Sequence, residues 1–190
     1  MLGLSLLPLE ASILNPCNNM DQVKEKTPEQ KQFANELYQQ ISKHEGNKQY
    51  SYLDTEDNPT IGVGFNLGDS DNQKIVREMG YNLDDLINGK VRLKDNEIKR
   101  LYNKSIVKSY NDARKWLTNF DDQPDDVKKA VIDMSFNLGY TKLSKFVKTK
   151  DALMKKDYNR AADEMLDSKW ARQVKGRSDT LSSMVRNQSK

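Results

Sequence analysis

Residues 44–64 read HEGNKQYSYLDTEDNPTIGVG. The stretch begins where a helix should stop. Thr27-Pro28-Glu29-Gln30 is a helix start: Thr27 suits the N-cap, Pro28 the first turn and Gln30 the reciprocal capping position. Phe33, Leu37, Tyr38 and Ile41 follow at helical spacing, so a helix is predicted to about His44, stopping near Gly46. Beyond it, Gln49 to Asp54 alternates loosely and Thr60 to Phe65 reads as a strand. Asp57-Asn58-Pro59 between them is a turn signal, giving one small antiparallel hairpin.

Three residues of the stretch carry chemistry. Glu45 sits at a helix C-terminus, where the macrodipole disfavours a carboxylate, a hint that it serves something other than stability. Asp54 closes the first strand and Thr60 opens the second, so the two are expected across from one another near the turn. Two carboxylates across a groove suit glycoside hydrolysis. One must give a proton to the leaving oxygen, and the other must be ionised to activate water. A threonine hydroxyl beside the second can help hold that water. The spacing alone leaves a polar hairpin and a catalytic site both open. Gly62 and Gly64 read as room for close backbone approach, not as a phosphate loop, because no lysine-bearing helix start follows them.

Outward from this stretch the chain is mostly helical. Residues 69–79 form a short helix ended by Gly80. A long one runs from Lys94 to about Leu117, with Ile98, Leu101, Tyr102, Ile106, Tyr110 and Trp116 inward. After Pro124 another starts at Asp125, with two aspartates in its first turn where the dipole favours them. Its buried stripe is Val127, Ala130, Val131, Met134 and Leu138, and Gly139 can end it. Segments near 144–155, 158–169 and 178–187 also read as helices. The fold class is α+β, with one small sheet just after the first capped helix.

Composition narrows the chemistry. One cysteine, Cys17, and one histidine, His44, exclude an intramolecular disulfide and a thiolate or histidine-rich metal site. Catalysis must come from carboxylates, hydroxyls and amides, and no cofactor is expected. The net charge of +3, from 31 basic and 28 acidic residues, is far from a dedicated nucleic-acid binder. It favours, weakly, a polyanionic surface such as a bacterial wall. No stretch reaches the roughly 18–20 apolar residues of a membrane span. The opening MLGLSLLPLEASILNPC carries Glu10 and no Lys or Arg, which does not suit a secretory signal. Residues 1–26 are therefore expected to be a docking or disordered extension.

The chain resembles the bacteriophage lysozyme family of T-even type, the glycoside hydrolase family 24 muramidases. That family reads E-G, Y-x-D and T-I-G-x-G. Here Glu45-Gly46, Tyr52-x-Asp54 and Thr60-Ile61-Gly62-x-Gly64 keep the same intervals, nine residues from Glu to Asp and six from Asp to Thr. Downstream, Met134-Ser135-Phe136-Asn137-Leu138-Gly139 resembles the family's M-x-F-Q/N-x-G segment, and Ser168-Lys169-Trp170-x-x-Gln173-x-x-x-Arg177 its S-R-W-x-x-Q-x-x-x-R segment. The resemblance spans about residues 30–187, and residues 1–26 have no counterpart.

The resemblance implies a two-lobed, mostly helical fold with the small sheet in the N-terminal lobe. The catalytic domain would span 27–190, with lobes of about 27–92 and 93–190. It implies Glu45 as general acid, Asp54 with Thr60 positioning the attacking water, and Asn137, Phe136 and Gly64 contacting substrate. Arg177 would orient Glu45, and Trp170 reads as core more than as a sugar platform. The implied activity is hydrolysis of the β-1,4 bond between N-acetylmuramic acid and N-acetylglucosamine in peptidoglycan, with inversion. The implied partner is the peptidoglycan glycan strand, with phage virion or tail proteins meeting residues 1–26. The enzyme would reside in the phage virion or the host cytoplasm and act on the bacterial periplasm and wall. The rivals are a lytic transglycosylase and a non-catalytic wall-binding or virion structural protein.

Departures from the family pattern are local. Phe65 stands where the family has histidine, Asp57 where its hairpin turn has glycine, and Pro59 precedes Thr60. Proline removes a ladder donor, so the hairpin tip should be shaped differently. Leu93 stands where a threonine caps the long helix, with Asp95 close by as an alternative cap.

Overall fold

The computed structural model describes residues 26–54 and 57–189. Its first helix, α1 (Pro28–Glu45), starts as the sequence directs. The Thr27 N–H donates to Gln30 Oε1 at 3.0 Å and the Gln30 N–H donates to Thr27 Oγ1 at 3.3 Å. This reciprocal box satisfies two of the amides a helix start leaves unpaired. Leu37 and Ile41 are buried, while Phe33 and Tyr38 are half-buried. The helix ends at Glu45, and Gly46 follows with φ +80°, its N–H bonded to the Ser42 carbonyl.

The sheet has three strands, β1 (Lys48–Leu53), β2 (Pro59–Gly62) and β3 (Phe65–Asn66), antiparallel in that order. The single strand expected over 60–65 is therefore two. Gly62 (φ +64°) and Gly64 (φ +62°) adopt a backbone conformation that side chains resist, and they fold the chain back on itself. Gly62 also permits close approach to the long helix, because a Cβ there would lie 2.9 Å from Ile98 Cγ2. The hairpin register pairs Tyr52 with Thr60 and Leu53 with Pro59, and Asp54 lies just past the end of β1. The expectation that Asp54 and Thr60 face each other directly is thus off by two positions.

Two short helices follow, α2 (Ser70–Glu78) and α3 (Leu83–Ile87). Asp69 caps α2 by accepting from the Asp71 and Asn72 amides, and Asn82 caps α3 by accepting from that of Asp85. Helix α3, at five residues, is too short for helical periodicity to show in the sequence. The long helix α4 (Asp95–Trp116) is not capped by Asp95. The cap position is Lys94, whose own N–H donates to Glu97 Oε2 at 2.7 Å. Leu93 is buried, with its N–H bonded to the Gln49 carbonyl of β1 at 2.8 Å.

Then come α5 (Asp125–Leu143), α6 (Val147–Met154), α7 (Tyr158–Leu166), α8 (Lys169–Val174) and α9 (Gly176–Arg186). Gly139 ends the regular part of α5, as expected: its backbone is non-helical at φ 68°, and after this kink a further helical turn runs on to Leu143. Leu138 is half-buried, less covered than the rest of its stripe. The separate helix α8 was not anticipated. Ser168 starts it by accepting the Ala171 N–H at 3.0 Å.

The chain forms two compact units. One comprises residues 36–108, and its core includes Leu37, Ile41, Ile61, Phe65, Leu67, Val76, Leu86, Leu93, Ile98 and Leu101. The other comprises the described residues 109–189 together with 26–35, and its core includes Trp116, Phe120, Val131, Met134, Leu153, Met165, Trp170 and Leu181. Residues 1–25 of the expected extension lie outside the described residues.

Candidate active site

The unit of 36–108 holds Glu45, Asp54, Thr60 and Gly64. Glu45 is the last residue of α1 and is half-buried. Its carboxyl lies against the backbone of Gly64: a Cβ built at Gly64 would stand 3.0 Å from Glu45 Oε2 and 3.1 Å from its Cδ. The glycine therefore gives Glu45 its seat.

Asp54 and Thr60 meet through Asn58. The Asn58 N–H donates to Asp54 Oδ1 at 2.9 Å. Its side-chain Nδ2 lies 3.3 Å from each Asp54 carboxylate oxygen. The Asn58 carbonyl accepts from the Asp54 N–H at 3.0 Å and from the Thr60 hydroxyl at 3.1 Å. Thr60 is buried, at 3% exposure, and its hydroxyl proton is committed to that carbonyl. The hydroxyl oxygen keeps its lone pairs as acceptors.

Tyr52, paired with Thr60, links the two acids electrostatically. Burial first, then the charges of Glu45 and Asp54, push its phenol above the ordinary range. The Lys48 ammonium sits 4.1 Å from the centre of the Tyr52 ring, a cation–π distance. The sequence marks Asn58 only as part of the turn and gives no signal for Lys48. For Tyr52 the signal was its place in Y-x-D.

The other unit holds Phe136, Asn137 and Arg177. Asn137 is exposed on α5, and its Oδ1 accepts from Trp170 Nε1 at 2.8 Å. Trp170 itself is 5% exposed and packs edge-on against Phe146, with ring centres 5.9 Å apart. It is core, as expected. Phe136 is half-buried. Arg177 is buried in an ion pair with Asp133, its Nε and Nη2 lying 2.7 and 2.6 Å from Asp133 Oδ1. Asp133 is fully buried, and no sequence signal had marked it. Asp133 and Asn137 are four apart on α5, so one helix face anchors both Arg177 and Trp170.

Among the described residues no group of three or more His, Cys, Asp or Glu side chains is placed to hold a metal ion. Among them, too, no helix is long and apolar enough to cross a membrane. What the first unit offers is one carboxyl seated at a helix end and a second fixed beside a hydroxyl acceptor. That is equipment for proton transfer and water placement.

A family model described as phage lysozyme matches residues 42–190. A protein of Dictyostelium discoideum, described as probable T4-type lysozyme 2, is 27% identical over 160 residues. The match covers 80% of this chain and 94% of that relative.

Proposed function

The chain belongs to the phage lysozyme family, and we propose that it cleaves the β-1,4 bond between N-acetylmuramic acid and N-acetylglucosamine with inversion at the anomeric carbon. It is a lysozyme-type peptidoglycan hydrolase. In the proposed reaction Glu45 protonates the leaving glycosidic oxygen. Asp54, ionised, accepts one proton of a water, and the Thr60 oxygen accepts a hydrogen bond from the other. Both groups are acceptors toward the water, so its lone pair is turned toward the sugar carbon.

The observation that carries this reading is the shared anchorage of Asp54 and Thr60 on Asn58. It ties a carboxylate and an acceptor hydroxyl to one residue, which supports reading them as a joint water-binding pair. Inversion requires room for the water, about 6.5–9.5 Å between the two carboxyls. Asn137, Phe136 and Gly64 are assigned to substrate contact and Arg177 to orienting the acid, each to be tested by its own variant.

The test is product analysis of digested peptidoglycan. The reading expects reducing ends of inverted configuration. Anhydro-sugar ends would make the protein a lytic transglycosylase, and absence of any cleavage by the folded protein would make it a binding protein. The setting we propose is a phage particle, with residues 1–26 as the docking segment. Mass spectrometry of purified virions would detect those residues if so, and their absence from virions would reject it.

A further inference from the structure

Asn58 does more than close the turn. Its backbone N–H on Asp54 Oδ1, at 2.9 Å, is a bond that many tight turns make. Its side-chain amide is the addition, reaching Oδ1 and Oδ2 at 3.3 Å each. Its carbonyl meanwhile takes both the Asp54 N–H and the Thr60 hydroxyl. One residue therefore sets the plane of the carboxylate and the direction of the hydroxyl. Its own conformation is constrained on both sides. Asp57 before it has φ +58°, and Pro59 after it confines it to extended backbone. The two residues that depart from the family's hairpin pattern are the ones that flank it.

We propose that Asn58 is a positioning residue for hydrolysis, its amide and carbonyl holding Asp54 and Thr60 as one water-binding unit. The proposal rests on reading Asp54 and Thr60 as the pair that places the water. Hydrogen bonds to a carboxylate favour its charged, accepting form. Fixed orientation keeps the water within attacking reach, where a misplacement of about 1 Å can cost roughly 100-fold in rate. Among the described residues, the titratable and charged groups near Asp54 include Tyr52 and Lys48 on β1, Glu45 at the end of α1 and Asp57 in the turn. All of them remain in the variants below.

The experiment compares Asn58→Ala, Asn58→Asp and Asp54→Asn in the full chain, on peptidoglycan fragments, well below each variant's melting temperature. Asn58→Ala keeps the three bonds made by the backbone N–H and carbonyl and removes only the side-chain amide. Its kcat should fall about 10- to 100-fold with KM little changed, and the acid limb of its kcat profile should move to higher pH. Asn58→Asp puts a second carboxylate beside Asp54, and it should lose more activity and move that limb further. Parental kcat and an unmoved acid limb in either folded Asn58 variant, with Asp54→Asn inactive, would overturn the proposal. So would failure of both Asn58 variants to fold, which would make the residue structural. Full activity in Asp54→Asn would instead sink the underlying reading of the site.

Discussion

The hairpin and the α5 face hold their polar groups in opposite ways. Asp54, Asn58 and Thr60 are joined by bonds that span two to four residues, at partly buried positions. On α5, Asp133 and Asn137 reach across 44 and 33 residues to Arg177 and Trp170, and the Asp133–Arg177 pair is buried. The first arrangement costs little loop-closure entropy and little desolvation, so its bonds are free to serve chemistry. The second takes two charges out of water, and it must be complete to be tolerable. The hairpin should therefore be sensitive in activity and the α5 face in stability.

Asp133→Ala tests that contrast with the largest effect. It leaves the Arg177 charge buried without its carboxylate, and stability should fall by about 3–5 kcal/mol, read by urea denaturation. If Asn58→Ala cost as much, the two regions would not differ as described. Gly64→Ala comes next. It places a Cβ at φ +62° and 3.0 Å from Glu45 Oε2. Backbone strain should cost about 1–2 kcal/mol, and displacing the acid should lower kcat by roughly 10-fold or more. A stable Gly64→Ala protein with parental kcat would show that Glu45 does not depend on that seat.

Tyr81→Phe is the mildest. Tyr81 Oη donates to Glu97 Oε1 at 2.5 Å. Burial first, then the bond to Glu97, raises the phenol to about 12. The bond from Tyr81, followed by that from the Lys94 amide, lowers the Glu97 carboxyl. The phenol's folded value is above its unfolded one, so its contribution is complete below about pH 10 and lost between about pH 10 and 12. The Glu97 contribution has the opposite sense, present above the ordinary carboxylate range and lost as acid protonates it. Because Tyr81 and Glu97 are only half-buried, Tyr81→Phe should cost only about 0.5–1 kcal/mol near neutrality. The gap to the parent should close above pH 10. A gap that stayed constant to pH 12 would contradict the assignment.

The same contrast explains what could be read from the sequence. The capping box at Thr27, the helix end at Glu45 and the intervals to Asp54 and Thr60 are local facts, written in neighbouring residues, and the structure builds the corresponding elements. The turn at Gly62 and Gly64 was misassigned because two glycines in T-I-G-V-G fit both a strand with close approach and a reversal. Only the positive φ at both decides it. Lys94 capped α4 in place of Asp95 because the Glu97 side chain, three residues on, reached back to its amide. Helices α3 and α8 have five and six residues, too few to repeat a 3.6-residue pattern. Asp133 was invisible because its partner lies 44 residues away and nothing local distinguishes it from a surface carboxylate.

Glu45 carries the central claim, and Glu45→Gln tests it most directly. The substitution keeps the side chain's size against Gly64 and removes the proton the leaving group needs. The purified variant should melt close to the parent and release no reducing ends from peptidoglycan. A correctly folded Glu45→Gln protein that still released them would contradict the account.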